Sequence, residues 1–348
     1  MATYDAIAQL PLEIDGYELE GHERSVSSGF VRHTTVVRLR GNGEEGRGED
    51  VTYEAAEHER FRSGAVHDLS SASSLGAFSE LVGSLDLFPD GEPEVAVRRN
   101  YRRWAFESAA LDLALRQAGL SLAAALGRMP APVRFVVSRR LPDPPRVEPL
   151  RMILDAYPAT RLKLDPTSDW TAEIVGRLVE LEAVEILDLK GAYRGTVVDQ
   201  APDPQLYRLV AEAFPDAVIE DPDLVDPATA EVMRRHHERI SWDAVIHSVG
   251  DIEALPFPPR WLNIKPSRFG SLSGLLETYD YCSAAGITVY GGGQFELAVG
   301  RSQIQYLASL FHPDAPNDVA PLGYDGPTID PGTPASPLPP STLAKGFR

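Results

Sequence analysis

Five short apolar runs in the middle of the chain each end on a group able to hold a proton or a cation. They are Arg161-Leu162-Lys163, Val184-Glu185-Ile186-Leu187-Asp188, Ala217-Val218-Ile219-Glu220, Arg239-Ile240-Ser241-Trp242-Asp243 and Trp261-Leu262-Asn263-Ile264-Lys265. By subtraction the successive ends are 25, 32, 23 and 22 residues apart, each close to one strand-plus-helix unit. In a (β/α) barrel all strands run the same way, so such ends gather on one rim and face one pocket. A lone carboxylate after a strand reads as a helix cap or solvated turn residue, and a lone lysine there as an exposed one. Three carboxylates on consecutive strands, with a lysine on the strand before and another on the strand after, read as a site. Asp188, Glu220 and Asp243 offer oxygen only, with no cysteine or histidine pair beside them, which selects a hard cation and favours Mg²⁺ over Zn²⁺.

Arg161 and Lys163 are two apart, so on a strand they point to one face. A neighbouring positive charge disfavours the ammonium form, and the expectation is that Arg161 lowers the pKa of Lys163 until it serves as a general base near neutrality.

These positions need a scaffold. The first fifty residues alternate as strands, with Tyr17 and Leu19 in one run and Thr35 to Arg40 in the next, then a return after the glycine-rich turn Gly41-Asn42-Gly43 with Gly46 and Gly48. The polar stretch Gly21 to Gly29 between the first two strands is expected as a surface loop, either a lid or simply solvated. Residues 75 to 127 read as helices, with Trp104, Leu111, Leu115 and Ala118 on one face and Gly119 placed to end the helix. From Val133 short apolar runs alternate with amphipathic stretches, the βα pattern. Five of the prolines fall between 316 and 334, with further ones after them, which predicts an extended tail that wraps back over the body. The fold class expected is α/β, a modified (β/α) barrel of the TIM type over residues 129–316. An α+β capping domain of three strands plus helices occupies 1–128 and is completed by the tail 317–348.

Composition narrows the partners. A net charge of -18 over 348 residues repels nucleic acid and anionic membrane. Cys282 is the single cysteine, and nothing reads as a signal peptide or an apolar span, so a cytoplasmic protein acting on small molecules is expected, with homo-oligomerisation left open.

At the quoted residues the chain resembles the enolase superfamily, and within it the muconate-lactonizing subgroup with its o-succinylbenzoate synthases, N-acylamino acid racemases and dipeptide epimerases. Arg161-Leu162-Lys163 looks like that subgroup's Lys-x-Lys. Asp188, Glu220 with Asp221-Pro222, and Asp243 match its three metal ligands in order, and Lys265-Pro266-Ser267-Arg268-Phe269-Gly270 its opposing lysine strand. Gly291-Gly292-Gly293-Gln294-Phe295-Glu296 is similar to the glycine-rich stretch late in the barrel. Phe106 to Leu113, with Gly119 and Leu126-Gly127, resembles the end of the capping domain. The resemblance implies Mg²⁺ on Asp188, Glu220 and Asp243, with Lys163 and Lys265 as the catalytic proton-transfer pair. It is a site logic in which a lysine base and Mg²⁺ serve an enediolate. Arg161, Ser138, Lys190, Gly292, Gly293 and Glu296 are the substrate-binding candidates. Ser138 also reads as a helix cap, and the glycines either cradle an anion or permit a tight turn.

The departures bear on the reaction. Arg161 replaces the first lysine and stays charged. Lys190 stands at the asparagine of Asp-x-Asn, and Ala244 where a glutamate usually follows the third ligand. Asn317-Asp318-Val319-Ala320 lacks the second aspartate with which dipeptide epimerases hold an ammonium. The implied reaction is α-proton abstraction from a carboxylate, leaning to dehydration of the o-succinylbenzoate synthase kind. Racemisation of N-acylamino acids and a barrel that keeps the metal site without turnover are the alternatives. His247 and His312 lack a partner carboxylate at triad spacing and are assigned no catalysis.

Overall fold

Side-chain alternation between Gly16 and Asp50 gives three antiparallel strands in the computed structural model, which describes residues 2–26, 30–64, 66–89, 91–194, 199–326 and 328–347. They are β1 (Gly16–Ser25), β2 (Val31–Gly41) and β3 (Glu44–Asp50), adjacent in that order. Asn42 and Gly43 join β2 to β3 with φ of 49° and 74°, the left-handed pair a two-residue hairpin requires. The stretch from Gly21, expected as a loop, continues β1 instead, with Gly21 opposite Thr35 and Ser25 opposite Val31. Its polarity misled because β1 is the sheet edge and buries none of its residues fully, a setting in which charged side chains are at home. Residues 27–29 of that expected loop lie outside the described residues.

The helix Arg98–Gln117 packs on β3 with Trp104, Leu111 and Leu115 buried. Gly46 and Gly48 belong to this contact: a Cβ on Gly46 would stand 2.2 Å from the Ala109 carbonyl oxygen, and one on Gly48 2.1 Å from that of Ala105. Gly119, at φ 67°, follows the helix end as its spacing predicted.

Seven parallel strands form the second body: β4 (Val136–Arg139), β5 (Arg161–Leu164), β6 (Val184–Asp188), β7 (Val218–Glu220), β8 (Ile240–Trp242), β9 (Trp261–Ile264) and β10 (Thr288–Gly291). Each is hydrogen-bonded to the next in sequence order. The gap between β10 and β4 is bridged by two residues. Asn317 accepts from Val136 N at 2.8 Å through its carbonyl, and Asp318 N donates to Gly291 O at 2.7 Å. The buried Asn317 side chain locks this seam, taking Gly291 N on Oδ1 and donating through Nδ2 to the carbonyls of Arg134, His312 and Ala315. The curled sheet is thereby a (β/α) barrel with a separate capping sheet, the fold class expected.

Period-two alternation divides the barrel interior into layers. Val136, Ile186, Val218 and Tyr290 form a small apolar cluster with Trp261 against it. Two residues further along β4, β6 and β7 stand Ser138, Asp188 and Glu220, with Gly292 just past the end of β10, so the polar set sits on an apolar floor. The tail runs along the outside. Leu338 pairs with Val133, Gly346 with Ser121, and the fully buried Phe347 donates its N–H to Asp112 of the capping helix at 2.8 Å. Among the described residues no helix is long and apolar enough to cross a membrane.

Candidate active site

At the carboxyl ends of β5 to β9 the five predicted groups meet in one buried cluster. Lys163 Nζ donates to Glu220 Oε1 at 2.5 Å and lies 3.1 Å from Asp188 Oδ2 and 3.2 Å from Asp318 Oδ2. On the far side Lys265 Nζ donates to Asp243 Oδ2 at 2.8 Å. Sheet order puts the two lysine strands on either side of the three carboxylate strands. Asp188 and Glu220 are cross-strand partners, and Ser138 is the partner of Lys163 across β4 and β5.

Neighbours hold each acid in place. Glu220 Oε2 accepts from Tyr290 Oη at 2.5 Å and Asn263 Nδ2 at 3.3 Å. Asp243 Oδ2 also accepts from Tyr193 Oη at 2.8 Å and Arg268 Nη2 at 3.3 Å. Asp221, at φ 44°, takes the N–H groups of Asp243 and Ala244 at 2.8 and 2.9 Å, tying the end of β7 to that of β8. Asp188 accepts from Lys190, both from its ammonium and from its backbone N–H.

Crowding of charge sets the proton affinities. Burial alone would lower Lys163, but Glu220, Asp188 and Asp318 carry it well above the ordinary lysine range. Burial pushes Glu220 up to about 8, with Asp188 and Asp243 adding to the rise. Asp221 goes up to about 6 by burial and the same two neighbours. Asp188 and Asp243 move down despite their burial, the first because of Lys190 and Lys163, the second because of Arg268, Lys265 and Lys163.

The donor set fits a hard divalent cation such as Mg²⁺: three carboxylates from adjacent strands, no softer ligand, and an Asp243 Oδ1 that is buried and accepts no hydrogen bond, its nearest cation being Arg268 Nη1 at 3.2 Å. As they stand the acids are drawn apart by Lys163, Lys190, Lys265 and Arg268. Among the described residues no three histidine, cysteine, aspartate or glutamate side chains converge closely enough to hold an ion. Convergence requires Lys163 and Lys190 to release Asp188.

The remaining candidates are placed as follows. Arg161 begins β5 at the amino end of the barrel, where it lies 3.5 Å from Glu185 and donates to Thr160 O. The expected lowering of Lys163 by Arg161 is therefore corrected: the carboxylates around Lys163 decide its proton affinity, and the shift is upward. Gly292 passes over Lys265 so closely that a Cβ would stand 2.8 Å from Lys265 Cε and 2.5 Å from Asn263 Oδ1. Gly293 sits against Glu296, which is buried and turns Oε1 back to the Gln294 N–H at 2.8 Å.

This loop is fastened to the capping domain. Buried Arg32 of β2 donates to Gln294 O at 2.9 Å, and Tyr53 Oη to Gln294 Oε1 at 2.9 Å. Glu49 of β3 accepts the N–H groups of Leu297, Ala298 and Gly300 at the start of the helix Val299–Phe311, a negative charge at a helix N-terminus. Asn100 donates to Arg268 O at 2.6 Å. Sequence reasoning missed Tyr193, Asn263, Tyr290 and Asp165. Period two would have found Asn263, two before Lys265, and Asp165, two after Lys163. Tyr193 lies in a loop with no pattern.

Comparisons with known proteins agree with this architecture. A family model described as "Domain of unknown function (DUF8230) C-terminal domain" matches residues 129–326, and its N-terminal counterpart matches 5–125. An N-succinylamino acid racemase from Amycolatopsis is 31% identical over 223 residues, 62% of this chain and 59% of that protein. An o-succinylbenzoate synthase from Bacillus subtilis is 27% identical over 241 residues, 67% and 63% of the two chains. The chain thus spans roughly three fifths of the length of the curated relatives it matches. Solved members of the enolase superfamily share the fold. A dipeptide epimerase from Methylococcus capsulatus complexed with Mg ion does so at 20% identity and a TM-score of 0.65, covering 89% of this chain and 92% of that one. The resemblance to the enolase superfamily read from the motifs therefore holds.

Proposed function

The chain belongs to the DUF8230 family, and on that premise we propose that it is an Mg²⁺-dependent enzyme that removes the α-proton of a carboxylate substrate through an enediolate. The observation that carries this reading is the pair Lys163 and Lys265, both buried, on strands that flank three carboxylate strands. A purely structural barrel has no need to bury two lysines among acids, since each loses hydration and side-chain freedom.

Mg²⁺ held by Asp188, Glu220 and Asp243 would supply positive charge to the substrate carboxylate as negative charge develops there. One lysine takes the α-proton on Nζ as the free amine, a form open to Lys163 only once Glu220 and Asp188, whose charges hold it well above the ordinary lysine range, turn from it. The other, as the ammonium, faces the opposite side of the substrate and stabilises the charge left on the carboxylate. If the substrate carries a β-hydroxyl, that charge expels it: the C–O bond breaks, the lysine that took the α-proton gives it to the leaving oxygen, and water departs as the C=C bond forms. If it does not, the second lysine returns a proton to the other face and the configuration inverts. Dehydration of the o-succinylbenzoate synthase kind is the preferred reading, on the Gly291 to Glu296 loop and the Lys265 to Gly270 run. Racemisation of N-acylamino acids is the second, favoured by the 31% identity to a racemase. Without a second aspartate after Asp318, and with Lys190 and Arg268 at the acids, the pocket favours substrates whose remaining groups are neutral or anionic.

The test is exchange of the α-proton with solvent deuterium, followed by NMR in Mg²⁺. N-succinylamino acids of both configurations and the hydroxy-acid precursor of o-succinylbenzoate are the substrates. Replacing the base costs at least about two orders of magnitude in rate. For a racemase, Lys163→Ala removes exchange from one enantiomer and Lys265→Ala from the other. Wild-type exchange and turnover in both variants would remove both lysines from the chemistry.

A further inference from the structure

Beyond Asp188 the chain does not leave β7 at once. Leu189 N donates to Glu220 O at 2.9 Å and Gly191 N to Asp221 O at 2.7 Å. Between them Lys190 takes a φ of 55°, a left-handed conformation that residues other than glycine seldom adopt. That turn folds the lysine back on its own strand end, with the backbone N–H 3.2 Å from Asp188 Oδ1 and the ammonium hydrogen-bonded to Asp188 Oδ2. A second carboxylate waits beside it. Asp165, two residues past Lys163, has Oδ1 at 3.6 Å from the same ammonium, and this oxygen is buried and accepts no hydrogen bond. A buried acceptor that has an ion-pair partner in reach but no hydrogen bond is costly and rare.

We propose that Lys190 is a resident counter-cation with two seats: it neutralises Asp188 while the divalent ion is absent and passes to Asp165 when the ion binds. The inference rests on the metal reading of Asp188, Glu220 and Asp243. An ammonium hydrogen-bonded to Asp188 Oδ2 competes with an incoming dication for the lone pairs of that oxygen, which must be released before it can ligate. Reaching hydrogen-bond distance of Asp165 Oδ1 requires a shift of less than about 1 Å. Asp165 thus gives Lys190 a partner in both states and explains why an acid with an orphan oxygen stands there.

The experiment is calorimetric titration of MgCl₂ into the chelator-stripped protein, for wild type, Lys190→Gln, Lys190→Met, Asp165→Asn and the double variant Lys190→Gln with Asp165→Asn. Circular dichroism checks the folding of each, and two Lys190 replacements keep the comparison if one fails to fold. Removing the ammonium should tighten Mg²⁺ binding fivefold or more. Asp165→Asn should weaken it by a similar factor, and in the double variant the Asp165 effect should vanish, because its only role is to receive Lys190. A gain under fivefold in the Lys190 variants overturns the proposal. So does an Asp165 effect that persists without Lys190, which would be simple long-range attraction. Absence of Mg²⁺ binding in every protein overturns the metal reading itself, and the proposal with it.

Discussion

Lys163 Nζ lies 3.2 Å from Oδ2 of Asp318, one of the two residues that close the barrel between β10 and β4. The lysine is therefore held from two sides, by the acids of β6 and β7 and by the seam. Once Asp188 and Glu220 turn to a cation, Asp318 is the carboxylate left to aim Lys163. Asp318→Asn should keep the fold and lower the rate of α-proton exchange about tenfold, the loss of one ion-pair partner of a positioned base. The check is kcat and KM measured beside the melting temperature. A drop in melting temperature with unchanged kcat would make Asp318 a structural residue only.

Stability of the metal-free protein should fall as pH rises above neutrality. Glu220 and Asp221 are pushed up to about 8 and about 6, from ordinary values near 4.5 and 3.8. A raised folded-state pKa contributes stability that is complete below the unfolded value and lost as pH climbs through the folded one. Asp188 and Asp243 move the other way, but their contribution is already complete above the ordinary carboxylate range. Between pH 7 and 9, above the range in which the depressed His312 still adds stability with rising pH, the melting temperature in chelator should thus decline as Glu220 ionises, and saturating Mg²⁺ should flatten that decline. A chelator-treated protein more stable at pH 9 than at pH 7 contradicts this.

Gly292 tests how tightly the glycine-rich loop covers the second lysine. A Cβ there would meet Lys265 Cε at 2.8 Å and Asn263 Oδ1 at 2.5 Å, closer than unbonded atoms approach, so Lys265 must move. Gly292→Ala should cost about tenfold or more in kcat, because a displacement near 1 Å at a reacting group is enough for that, with only a small change in melting temperature. Full activity in this variant would show that Lys265 tolerates displacement and is not a proton-transfer group.

Asn317 should matter to stability more than to chemistry. Its side chain makes hydrogen bonds to Gly291, Arg134, His312 and Ala315 at the seam, and burial depresses the His312 imidazole to about 4, so that ring stays neutral beside it. Asn317→Ala leaves these buried groups unpaired and should destabilise by about 2–4 kcal/mol in denaturant unfolding. Unchanged stability would mean that the seam relaxes or admits water.

The sequence alone carried the order of strands, the rim on which the chemistry gathers, and the identity of the five central groups. Those features follow from periodicity: one charged end per βα unit, repeated, can only meet at one end of a parallel barrel. It also placed the ends of local elements such as the helix closed by Gly119, because backbone conformation there depends on one residue type. What needed the tertiary structure is pairing across the chain. The two-residue bridge at 317–318 is too short to carry a strand pattern, and Asp318 meets Lys163 only after the barrel closes. Gly46 and Gly48 looked like turn residues until the helix Arg98–Gln117 was seen to lie against them. The proton affinity of Lys163 was read from its neighbour two residues away, but it is fixed by three acids 25 to 155 residues distant in sequence. Local spacing decides where a side chain emerges. Which charges surround it, and so what it can do, depends on contacts that only the closed fold creates.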